Sequence, residues 1–221
     1  MKTYYEFNTL LYKYKIMINA EKFVKLLIRN KGNKIFIDSN CFYHATTNNI
    51  DTLNSIYNRG ILSKNLLNKI YIPECSTKIY NSSGYNGDNR VSVTKRNNIE
   101  IDSAYKTFIR RYPSFVLDDD INAIKTMYFK DNNYSIIDKI RALNITSCYQ
   151  DEWQVYDKIE KEHILAIGRY IKDNIYNEGH LDIGTIFDTY EIIKWLDKDN
   201  IDLKFIDLSD DTEVNKELFL K

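Results

Sequence analysis

The chain has 221 residues and carries 31 Lys+Arg against 31 Asp+Glu, a formal net charge of zero. That length suits one domain, or one domain with an appendage, and is enough for a sizeable core. The even balance excludes the long-range phosphate attraction of a dedicated duplex binder and leaves room for a local basic patch. The three cysteines, Cys41, Cys75 and Cys148, and the three histidines, His44, His163 and His180, show no metal-ligand spacing. No apolar run approaches the ~20 residues of a bilayer span, and the N-terminus lacks a leader-like pattern. The expectation is a reduced, cytoplasmic protein with no membrane segment and no metal.

In chain order, residues 1–33 read as a helical segment in which 20–28 carry one broad apolar face and 30–33 stop it. Short strands follow at 34–38 and 41–46. Asn48 to Asp51 caps a helix running to Asn58, with Ile50, Leu53, Ile56 and Tyr57 on its apolar side and Gly60 at its end. Residues 64–89 form a long connection whose centre, 81–89, is rich in Asn, Ser and Gly; it reads as a surface loop or as a lid. Residues 90–94 suit a strand with the Ser92 and Thr94 hydroxyls on one face. A helix over 101–111, ended by Pro113, and a buried strand over 114–118 come next. The acidic run Asp118-Asp119-Asp120 fits a helix N-terminus better than a metal site, because consecutive residues cannot all aim at one ion from a strand. Residues 122–129 then suit a short helix or turn. Toward the end lie a strand at 164–168, a helical stretch at 169–175, a strongly amphipathic helix at 185–196 and a terminal strand at 203–208.

The stretch 148–156 organises the rest. Period-two alternation sends Gln150, Glu152, Gln154 and Tyr156 to one face and Asp151, Trp153 and Val155 to the other. A row of amide, carboxylate, amide and phenol is expensive to bury unless water or a ligand satisfies it. Such a face marks either a site or the solvated side of an edge strand.

Taken together, Phe42-Tyr43-His44-Ala45-Thr46, a helix, Arg59-Gly60-Ile61-Leu62, Val91-Ser92-Val93-Thr94, Phe115-Val116-Leu117-Asp118, and Asp151-Glu152-Trp153-Gln154-Val155 followed by Ile159 and Ile164 form an ordered series. Over roughly residues 40–168 this series resembles the NAD-dependent ADP-ribosyltransferases. The resemblance implies an α+β fold of split antiparallel β-sheets with flanking helices and NAD in the cleft between the halves. It divides the chain into an N-terminal helical support segment (1–39), a catalytic core (40–168) and a C-terminal helix-strand extension (169–221).

By that resemblance, His44 is similar to the first-strand histidine that bonds the ribose hydroxyls of NAD. The backbone of Ala45 would take the nicotinamide amide where the family often has glycine. Ser92 and Thr94 match the hydroxyl strand that supports the cleft, and Tyr105 the tyrosine that stacks on the nicotinamide ring. Glu152 resembles the catalytic glutamate and Gln150 the first residue of the Gln-x-Glu form of that motif, there to orient the incoming nucleophile. The chemistry agrees: breaking the nicotinamide-ribose bond builds positive charge on the sugar, so a carboxylate gripping the 2′-hydroxyl stabilises the transition state most.

The family also implies a toxin or phage-defence effector restrained by an antitoxin or inhibitor protein, acting on a nucleic acid or a protein. Arg90, Lys95, Arg96, Lys106, Arg110 and Arg111 concentrate positive charge, and with Tyr80, Tyr85 and Tyr112 they suit a flexible single strand or RNA. Arg110, Arg111 and Tyr85 are the substrate-binding candidates. An RNA 2′-phosphotransferase would need further basic and histidine anchors for its phosphate, and a binding module without turnover is the non-enzymatic alternative.

Overall fold

The computed structural model describes residues 22, 24–26, 29–30, 32–35, 37–69, 89–95, 109–125, 127–128, 146–147, 152–177 and 180–216. They fall into two units, one within 37–167 and the other within 1–36 together with 168–221. The architecture is α+β.

Runs of aromatic and β-branched residues supply the strands of the first unit. They are β1 (Phe42–Ala45), β2 (Ile61–Leu62), β3 (Arg90–Lys95), β4 (Ser114–Leu117), β5 (Ala123–Lys125), β6 (Met127–Tyr128), β7 (Thr146–Ser147), β8 (Glu152–Tyr156), β9 (Lys158–Ile159) and β10 (Ile164–Arg169), the last two residues of β10 passing into the second unit. Six of them form one sheet in the order β10-β4-β1-β3-β8-β5. Pairing is antiparallel between β4 and β1, β1 and β3, β3 and β8, and β8 and β5. Tyr43, Val93, Phe115, Val116, Leu117 and Val155 make it a buried sheet.

Helix α1 (Ile50–Arg59) begins where the Asn49 side chain accepts the Thr52 N–H at 3.0 Å. It ends at Gly60, with φ of 81° and its N–H on the Ile56 carbonyl at 2.8 Å. Leu53 and Ile56, one turn apart, are its buried residues, each worth about 1.5–3 kcal/mol in transfer terms. The positive φ favours glycine, and so does space, because a Cβ on Gly60 would collide with the Ile159 carbonyl. That close approach arises because β2 pairs with β9, Ile61 opposite Ile159. A second helix, α2 (Lys64–Lys69), follows.

Three local expectations are corrected here, the first being the short helix or turn at 122–129, where strands β5 and β6 stand instead. The acidic run does not start a helix: strand β5 comes next, and Asp118 accepts the Asp120 N–H at 3.2 Å and lies 2.9 Å from His163 Nδ1. An acidic first turn is a local signal, whereas β5 owes its conformation to pairing with β8, Ile124 opposite Gln154. Among the described residues of 34–38, the expected strand is reduced to an isolated bridge between Lys34 and Thr212.

In the second unit, helical residues between 22 and 29 include buried Val24. It also contains α3 (Lys172–Ile175), β11 (Tyr176–Asn177), β12 (His180–Leu181), α4 (Ile183–Lys198), β13 (Lys204–Asp207) and β14 (Thr212–Glu213). Asp182 caps α4 by accepting the Thr185 N–H at 3.2 Å, and Ile186, Ile192, Ile193, Trp195 and Leu196 are buried together with Phe205 and Ile206 of β13. Asp207, almost wholly buried, accepts backbone N–H groups from Ile171 at 3.1 Å and Ser209 at 3.0 Å. Burial nonetheless raises its carboxyl above the usual range, with those bonds opposing the rise. Arg169, also buried, lies 3.2 Å from Asp188. Among the described residues no helix is long and apolar enough to cross a membrane.

Candidate active site

Glu152 opens β8, which lies between β3 and β5 and is therefore no edge strand. Register puts Thr94 opposite Glu152 and Ser92 opposite Gln154, and residues directly opposite share a face. The two hydroxyls expected on one side of β3 thus stand against the carboxylate and amide of β8. This polar face is buried, with Glu152 at 5% exposure and Gln154 at 7%. The alternation expected for β8 holds. The polar face is not the solvated side of an edge strand, since Glu152 and Gln154 are more enclosed than Trp153 on the other side. There Trp153 meets the Phe42 ring edge-on at 5.5 Å between centroids, and Lys95 Nζ lies 4.9 Å from the Trp153 ring.

Burial at this cost demands partners. The Ser92 hydroxyl donates to Glu152 Oε1, and Gln154 Nε2 lies 3.5 Å from the same oxygen. Gln154 Oε1 in turn accepts from Arg90 Nη1 at 3.2 Å. Desolvation still dominates and holds the Glu152 carboxyl above the ordinary carboxylate range, with the bonds from Ser92 and Gln154 pulling the other way. The Arg90–Gln154 link was not foreseen, although alternation had already set Gln154 beside Glu152.

β1 and β3 come apart beside this cluster. They pair at Phe42–Lys95 and Tyr43–Thr94, whereas β1 stays paired with β4 through Ala45–Ser114 and β3 with β8 through Arg90–Tyr156. The Thr46 N–H donates to the Pro113 carbonyl at 2.9 Å, across the β4 side. Backbone direction alternates along an antiparallel strand, so the N–H and C=O of Ala45 face β3, two residues past the last β1–β3 pair. In the fork, His44 Nδ1 lies 2.9 Å from the Ser92 carbonyl.

A carbonyl only accepts, so Nδ1 carries the proton in that bond. Burial lowers the His44 pKa, with the Ser92 bond opposing, and the neutral ring then presents Nε2 as an acceptor. Ser92 is the hinge of the arrangement: its carbonyl holds His44 and its hydroxyl holds Glu152. No family model, curated protein or solved structure matches this chain significantly.

Ala45, Ser92, Thr94 and Glu152 are therefore gathered on one face of three neighbouring strands, whereas His44 leaves β1 on the face of Phe42 and joins them only at the fork, through the Ser92 carbonyl. Gln150, Tyr105 and Tyr85 lie outside the described residues. Arg110 and Arg111 are exposed and come shortly before Ser114, the partner of Ala45. Because β3 runs antiparallel to β1, Arg90 lies at that same end of the sheet. Lys95 lies at the other end and on the opposite face, so the basic residues of β3 do not make one patch with Arg110 and Arg111. Among the described residues no group of three His, Cys, Asp or Glu is placed to hold a metal ion.

Proposed function

We propose that the chain is an ADP-ribosyltransferase that cleaves NAD and passes ADP-ribose to an intracellular macromolecule. The observation that carries the reading is the fork between β1 and β3, where one residue, Ser92, holds both His44 and Glu152. The fork fits the ligand in two ways. The Ala45 backbone offers a donor and an acceptor side by side, which a carboxamide such as that of nicotinamide complements, and neutral His44 offers an acceptor that a ribose hydroxyl satisfies. Arg110 and Arg111, exposed at the same end of the sheet, suit the phosphates of a single strand or RNA acceptor. Tyr105 is assigned to stacking on the nicotinamide ring, Gln150 to orienting the nucleophile and Tyr85 to the acceptor.

In this reading Glu152 accepts the 2′-hydroxyl proton in a hydrogen bond and stabilises positive charge as it develops on the sugar. The bond from ribose C1′ to the nicotinamide nitrogen breaks, its electron pair leaves with nicotinamide, and the acceptor's lone pair forms the new bond to C1′. The acceptor proton is lost to water. Such activity in a cytoplasmic effector calls for a restraining antitoxin or inhibitor protein.

Incubating the protein with NAD labelled in its adenylate and with cell lysate tests the proposal. Labelled macromolecule is expected, and digestion by nuclease or by protease identifies its class. Absence of both labelled product and nicotinamide release refutes it, and would favour a binding module. Transfer of phosphate from a 2′-phosphorylated RNA would favour the phosphotransferase alternative.

A further inference from the structure

Arg90, Gln154 and Glu152 lie in line on one face of the sheet, across β3 and β8. A guanidinium only donates, so the 3.2 Å contact from Arg90 Nη1 fixes the oxygen end of the Gln154 amide toward the arginine. The nitrogen end is then the one that faces Glu152 Oε1, at 3.5 Å, the long end of a hydrogen bond. A cation, an oriented amide dipole and a carboxylate follow one another in the sense that stabilises negative charge on the carboxylate. The amide is 7% exposed, so little water competes with it.

We infer that Arg90 and Gln154 form a positioning pair which keeps the Glu152 carboxylate ionised and aimed within its buried setting. This rests on the reading of Glu152 as the carboxylate that grips the ribose. Neither residue needs to touch NAD. The other titratable groups that β1, β3, β8 and β5 bring to this face are Tyr43 of β1, fully buried, and Tyr156 at the exposed end of β8. β5 presents Ile124 to this face, while Lys125 and Lys95 lie on the opposite one. Arg90 is thus the cation of this face that β3, β8 and β5 supply, and it acts through Gln154.

The pair is tested by titrating the Glu152 carboxyl directly, by carbon NMR of glutamate-labelled protein, with the signal assigned from its loss in Glu152→Gln. Gln154→Met keeps the side chain's length and removes the amide, and Arg90→Met removes the cation. In both the carboxyl is expected to titrate at higher pH than in wild type, and Arg90→Lys to recover part of the difference. NAD hydrolysis is expected to lose about tenfold in kcat on the acidic side of its profile, the lower end of what a hydrogen bond to a charged group is worth. KM for NAD is expected to stay near the wild-type value.

An unmoved titration in folded Gln154→Met overturns the inference. Should that variant fail to fold, an unmoved titration in Arg90→Met, altered at a partly exposed position, overturns it equally. The NMR readout needs no turnover. A shifted titration in a protein that never cleaves NAD supports the pair while refuting the transferase reading, and an unmoved one in an active enzyme does the reverse.

Discussion

Glu152→Gln separates the catalytic role proposed for this side chain from its structural one. At 5% exposure the carboxylate acts in surroundings far less polar than water. A unit charge about 4 Å from a developing cation, at an effective dielectric of about 20, contributes about 4 kcal/mol. On the proposed mechanism, losing it is expected to slow NAD cleavage about a thousandfold. The amide keeps an oxygen for the bonds now made by Ser92 and Gln154, so the fold is retained. Stability is expected to move the other way. Burial raises the Glu152 pKa, and a carboxyl raised on folding contributes stability that is fully present below its unfolded value and is lost as pH rises through its folded value. The amide variant, free of this loss, is therefore the more stable protein at pH 7. Its advantage disappears below about pH 4.3, where the carboxyl is protonated in both folded and unfolded chains. His44 is common to both proteins and cancels from the difference. Initial rates of nicotinamide release and paired urea melts at pH 7 and pH 4 measure the two effects. Near-normal turnover refutes the catalytic assignment, and a variant less stable than wild type at pH 7 refutes the electrostatic account of burial.

Ser92→Ala removes the hydroxyl bond that lowers the Glu152 pKa but leaves the carbonyl that holds His44. The acid limb of kcat is expected to move to higher pH with NAD affinity roughly unchanged; loss of affinity without a change in the pH profile would show that Ser92 serves only the ligand. His44→Ala is expected to weaken NAD binding by about 1–3 kcal/mol, the worth of one or two hydrogen bonds, and calorimetric titration with unchanged affinity removes His44 from the site. Reversing Arg110 and Arg111 to Glu should spare NAD hydrolysis while transfer to nucleic acid falls steeply and becomes less sensitive to salt. Equal loss of both activities would assign these arginines to the fold or to NAD, and label confined to protein would exclude a nucleic-acid target.

The sequence by itself determined what is periodic or capped. Alternation along 152–156 sorted Glu152 and Gln154 from Trp153 and Val155, the cap residues Asn49 and Gly60 bounded α1, and the apolar spacing near 185–196 marked α4. These features depend on residues within a turn or a strand of one another, so their signal is local. The tertiary structure alone decided that β8 is an interior strand, that its polar side is buried, and that the acidic run at 118–120 leads into a strand. It also decided the fork. His44 and Glu152 are more than 100 positions apart in the sequence, and both meet Ser92 because β1 leaves β3 after Tyr43–Thr94 while β8 stays paired with it to Arg90–Tyr156. Where two strands separate depends on which outer neighbours hold them, β4 on one side and β8 on the other, and that competition exists only once the sheet has assembled.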